Sequence, residues 1–164
     1  MKNLSARNKG LMTGILMIAM ALFFFYVLKQ PFEGNFQYII YFVYTAGIVW
    51  CLLDFKKTAP VDTKFKEYFS AGFKMFVMVT LLMVLFVFVF FYINPEIRDA
   101  KFAENSKLLL AEGNHTPVEI EKNTNQMKRI FILMMMGITT FVYLFLGALI
   151  TSLTAGVLSS KRNS

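Results

Sequence analysis

Few side chains in this sequence can do covalent or metal chemistry, and they are scattered. Cys51 is the only cysteine and His115 the only histidine. A nucleophile needs a base within hydrogen-bond reach, and a metal needs three or four ligands converging on one point. No spacing in the chain brings such groups together, so the expectation is a protein that is not an enzyme, with no catalytic, cofactor-binding or metal-ligating set. Cys51 cannot form an intrachain disulfide and reads as a packed helix residue. His115 reads as a solvated loop residue. The Asn114-His115-Thr116 triplet has the form of a glycosylation sequon, but Pro117 directly after it disfavours that use. One polar grouping stands out. Tyr38, Tyr41 and Thr45 fall on one side of a helix and can form a polar seam, either hydrogen-bonded within a bundle or lining a path in an oligomer.

The elements that carry these residues are long apolar runs, at about 11–28, 36–53, 75–93 and 130–158. Each is long enough to cross a hydrocarbon core of about 30 Å as a helix. The composition agrees: 57% hydrophobic and 16% aromatic residues, with nineteen Phe and eleven Met, exceed what one soluble core of this size can hold. Backbone amides in lipid must be paired within their own segment, so the runs are expected to be helices. A barrel strand would be about 10 residues long and alternate apolar with polar positions, which these runs do not. The first run is preceded by Lys2, Arg7 and Lys9 and contains Ala19-Met20-Ala21, features shared with signal peptides; its continuation through Phe23, Phe24 and Phe25 favours a retained span. The expected fold is all-α, an integral membrane four-helix bundle in a single domain.

Ionisable side chains inside spans mark ion paths and proton relays because they are costly there. None is expected in these interiors. Asp54 and Lys74 fall at the inner ends of the runs and Glu33, Lys29 and Lys128 at the outer ends, where they can reach water. That pattern argues against proton-coupled transport and leaves a passive channel or carrier open.

Basic residues flanking spans are retained on the cytoplasmic side. Lys2, Arg7 and Lys9 precede the first run, Lys56, Lys57, Lys64, Lys66 and Lys74 lie between the second and third, and Lys161 and Arg162 follow the fourth. Both termini are therefore expected in the cytoplasm. On the opposite side Arg98, Lys101, Lys107, Lys122, Lys128 and Arg129 are balanced by Glu96, Asp99, Glu104, Glu112, Glu119 and Glu121. The net charge of +7 thus belongs to the inner face, where it reflects this bias and contact with anionic lipid rather than nucleic acid.

The connections carry their own signals. Lys29-Gln30-Pro31-Phe32-Glu33-Gly34-Asn35 reads as a tight outer turn flanked by Tyr26 and Tyr38. Phe65, Phe69 and Phe73 recur every fourth residue beside Lys64, Lys66 and Glu67, which predicts an interfacial helix over 63–74 running into the third span. Asn94-Pro95-Glu96 reads as a helix start, with Asn as the cap and Pro in the first turn. That helix should end near Gly113-Asn114. Thr116-Pro117-Val118-Glu119 has capping-box spacing, and Ile120, Met127 and Phe131 continue one face into the fourth span. Residues 94–129 are thus expected to form an extracytoplasmic helical hairpin between helices 3 and 4.

Small residues four apart let helix backbones approach closely in lipid. Gly10 and Gly14 do this in the first run. In the fourth, Gly147, Thr151 and Ala155 run beside Ala148, Ser152 and Gly156, and all eight are expected at helix-packing faces. The apolar crowd from Val84 to Phe91, Val87 included, reads as a surface toward lipid. The Gly10-Leu11 opening with Gly14, the Thr63-x-Phe65-x-x-x-Phe69-x-x-Gly72 segment, Asn94-Pro95-Glu96 and the close from Leu146-Gly147 to Gly156 resemble DUF4199, a four-span family of unknown function. The family more often has Asp where this chain has Asn94. The resemblance implies a bacterial inner membrane and no established activity. The expected partners are membrane lipids and either a membrane-protein partner or a second copy of the chain.

Overall fold

A computed structural model describes residues 4–29, 36–114 and 116–160. The turn residues 30–35, His115, Lys2, Lys161 and Arg162 lie outside the described residues. Among the described residues five helices form: α1 (Ala6–Tyr26), α2 (Phe36–Thr58), α3 (Phe65–Ile93), α4 (Pro95–Glu112) and α5 (Pro117–Ser160). There is no strand among the described residues. Four of the helices, all but α4, are long and apolar enough to cross a membrane. Two exceed what a span requires. A membrane helix needs about 20 residues, whereas α3 has 29 and α5 has 44. In α3 the surplus is the aromatic segment expected at the interface, which joins the span without a break.

The chain divides into two compact units, one of residues 1–83 with 140–164 and the other of residues 84–139. In the first unit, helices meet where glycines remove side-chain bulk. A Cβ on Gly10 would lie 2.6 Å from the Met75 carbonyl oxygen and 2.9 Å from Met78, and one on Gly14 would lie 2.6 Å from Leu82, so α1 lies directly on α3. Gly47 does the same between α2 and α1, with the Thr13 side chain 2.7 Å from where its Cβ would be. Gly72 on α3 meets Thr151 on α5, and Gly147 on α5 meets Tyr44 on α2 and Phe76 on α3. Met17, Ile48, Leu52, Met75 and Val79 fill the centre and are fully buried.

The second unit holds the end of α3, α4 and the first half of α5. Phe131 packs edge-on against both Phe91, at 5.1 Å between ring centres, and Phe102, at 5.6 Å. The Thr116 hydroxyl and the Glu119 carboxylate exchange hydrogen bonds with each other's backbone N–H, at 3.3 and 3.0 Å, which is the expected capping box at the start of α5. Gly113 ends α4 with φ 69°, a conformation that favours glycine.

Two expectations fail in detail, and a third residue meets no neighbour within the chain. Asn94 holds the N-cap position of α4 but its side chain makes no cap; the side-chain amide donates back to the Phe90 carbonyl at 2.8 Å, and Pro95 and Glu96 supply the rest of the start signal. The segment from Val84 to Phe91 is not one lipid-facing surface. Phe86, Val87, Phe90 and Phe91 are buried while Leu85, Phe88 and Val89 are exposed, because a helix wholly apolar in sequence still turns one side inward. Gly156 makes no such contact within the chain: a Cβ there would meet nothing within 4 Å among the described residues.

Candidate functional site

The polar groups of the first unit gather at two levels. At one, Lys9 on α1 pairs with Asp54 on α2. Lys9 is 4% exposed, so this residue of the expected basic flank lies inside the bundle, where no ionisable side chain was expected. Its ammonium also lies 5.5 Å from the centre of the Trp50 ring, a contact that favours a desolvated cation. Helical spacing explains the meeting. Lys9, Thr13 and Met17 recur every fourth residue on α1, and Gly47, Cys51 and Asp54 fall on one side of α2, so the Thr13–Gly47 contact brings the two charges together one or two turns further along. Leu4, Ser5, Cys51, Phe55, Thr58 and Ala71 surround this pair in a cavity of about 130 Å³.

At the other level, the Tyr44 hydroxyl donates to the Tyr143 carbonyl at 2.8 Å, and the two rings meet edge-on at 5.2 Å. Tyr44 is fully buried and Tyr143 is 7% exposed. Neither was singled out in the sequence, although Tyr44 lies beside the proposed seam and Tyr143 follows one turn before Gly147. The seam residues separate. Tyr38 is 74% exposed. Tyr41 lies 5.9 Å from the Tyr143 ring, and Thr45 donates to the Tyr41 carbonyl of its own helix at 2.9 Å. Tyr41 and Thr45 are thus half-buried, with Tyr41 beside Tyr143, while Tyr38 stands outside.

Among the small residues, Gly10, Gly14, Gly147, Thr151 and Ala155 are buried, with Ala148 and Ser152 at intermediate depth beside them. The Thr151 hydroxyl has no hydrogen-bond partner among the described residues, as it is pressed against Gly72. Thr63 donates to the Pro60 carbonyl at 2.6 Å and so closes the turn before α3. The Phe65, Phe69 and Phe73 rings stack along α3 at 5.9 and 6.4 Å, with Phe65 and Phe73 exposed.

In the second unit Asp99 on α4 takes Arg98 at 3.0 Å and reaches Lys128 on α5 at 3.4 Å. The Arg98 hydrogen bond, with help from Lys128, holds its carboxyl below the usual carboxylate range. A cavity of about 340 Å³ lies between the two helices, bordered by Phe102, Ser106, Ile120 and Thr124. Among the described residues no group of three or more His, Cys, Asp or Glu is placed to hold a metal ion.

Over residues 8–160 the chain matches the family described as "Protein of unknown function (DUF4199)". No curated protein and no solved structure matches it.

Proposed function

The chain belongs to the DUF4199 family, and from that premise we propose that it is a non-enzymatic protein of the bacterial inner membrane. It acts through helix, lipid or protein contacts as an accessory or assembly subunit. Both termini face the cytoplasm and the α4–α5 hairpin faces outward, as the basic flanks of the spans indicate. The observation that carries this reading is the use made of interior polar groups. Lys9 is held by Asp54, Tyr44 by the Tyr143 carbonyl, and Thr45 and Thr80 by carbonyls of their own helices. The first two tie α1 to α2 and α2 to α5, the threonines are satisfied within their own helices, and among the described residues the Thr151 hydroxyl is the one buried side-chain group left without a partner. Large apolar side chains such as Leu133, Phe141, Phe145 and Leu153 on α5 stand exposed, a surface for lipid or another membrane helix.

An oligomeric passive channel is the second reading, and one observation favours it. Tyr38 stands exposed on α2, where a neighbouring copy would enclose it. The seam would then consist of Tyr38 without Thr45, whose hydroxyl is occupied within α2.

Extraction with a gentle polymer from the native membrane, followed by mass spectrometry of intact complexes, separates the readings. A foreign protein at fixed stoichiometry is the expected result. A homo-oligomer alone, with Tyr38 protected from labelling, would overturn the accessory reading in favour of the channel.

A further inference from the structure

Within the first unit, where α1 and α3 begin, lies an open groove of about 870 Å³. Arg7 of α1 and Lys66, Ser70 and Lys74 of α3 line it. The three α3 residues are four apart and therefore share one helix face. Phe55 and the buried Ala71 supply an apolar part of the wall. Glu67 is the only carboxylate of the lining, one negative charge against three positive ones; it accepts the Lys64 backbone N–H at 2.8 Å, which holds it at the start of α3. None of Arg7, Lys66 and Lys74 is ion-paired among the described residues. Lys9, close by in sequence, is the contrast, since Asp54 neutralises it.

We infer that this groove binds a phosphate ester, presented by the headgroup of an anionic membrane lipid. Guanidinium and ammonium groups with a serine hydroxyl are the donors that phosphate oxygens require. The choice of a lipid over a free phosphate comes from the neighbouring stripe. Phe65 and Phe73, each one residue before a groove lysine, are 44% and 49% exposed on the same stretch of α3. An aromatic stripe beside a cationic one is the arrangement of a helix lying at the membrane surface, which sets the groove at headgroup depth. Its size also falls within the range of small-molecule sites. The inference rests on the preceding reading in taking this end of the unit to lie at the inner surface.

Native mass spectrometry of the full chain, purified in detergent and offered phosphatidylglycerol or phosphatidylcholine with the same acyl chains, tests it. The wild type should retain phosphatidylglycerol preferentially. Lys66→Gln should weaken that retention about fivefold, and Arg7→Gln/Lys66→Gln/Lys74→Gln should lose the preference, since each surface cation contributes about a factor of five. Lys107→Gln/Lys122→Gln/Arg129→Gln removes equal charge elsewhere and should keep it. Groove and control variants that behave alike would overturn the site. Millimolar inorganic phosphate that displaced the lipid and bound the lipid-free protein through the same three residues would overturn the lipid source. Because partner co-purification reads no lipid, the accessory-subunit reading and this one fail separately.

Discussion

Lys9 and Asp54 illustrate how strongly the local solvent decides what a charge does. Lys9 is almost wholly enclosed, whereas the Asp54 side chain keeps 24% of its surface exposed. The two halves of the pair should therefore respond unequally to substitution. Asp54→Asn strands a buried cation and should lower stability clearly. Lys9→Met leaves a carboxylate that can turn toward water and fills the site with a similar apolar volume, so it should cost less than half as much. The double variant Lys9→Met/Asp54→Leu should recover most of the loss, because an apolar pair avoids desolvation. Thermal unfolding in detergent checks the order; a Lys9→Met loss equal to that of Asp54→Asn would show that the ammonium is solvated. The sequence contained the signal for this pair in two facing stripes at helical spacing, but only once Thr13 and Gly47 were known to touch. Residue spacing gives the face of a helix, not the identity of the face opposite.

At the scale of the elements, small residues and bulky ones are arranged so that backbones meet at some crossings and not at others. Gly147 sits against Tyr44 and Phe76, while Gly156 faces open space on the same helix. Gly147→Leu should lower the unfolding midpoint strongly, through overpacking worth about 1–3 kcal/mol, and Gly156→Leu should leave it nearly unchanged. Equal shifts would place both glycines in one contact. The five helices were legible because apolar length, the Thr116–Glu119 box and Gly113 are local signals. The inward side of α3 was not legible. Its Val, Leu and Phe residues are chemically alike, and only packing distinguishes the buried Val87 from the exposed Leu85. Asn94 was misread for a related reason: the Phe90 carbonyl, one turn back, competes successfully for the amide expected to cap α4.

For the whole molecule, four helices of spanning length and the distribution of charge define the proposed topology. Cysteines placed at Ser5, Ser159 and Asn114 in a Cys51→Ala background should divide on intact cells. An impermeant thiol reagent should label position 114 and spare 5 and 159; the opposite pattern would invert the protein. What the molecule does across that membrane depends on whether its interior polar groups connect or conduct. In this account the Lys9–Asp54 pair is a fixed clasp between α1 and α2, and Tyr44 is a fixed tie to α5, so neither passes protons. Proton flux into proteoliposomes loaded with a pH-sensitive dye, under an imposed potential, measures this most directly. The rate is expected to equal that of protein-free vesicles for the wild type and for Asp54→Asn alike. A protein-dependent flux in the wild type that Asp54→Asn abolishes would contradict the account and make the clasp a relay.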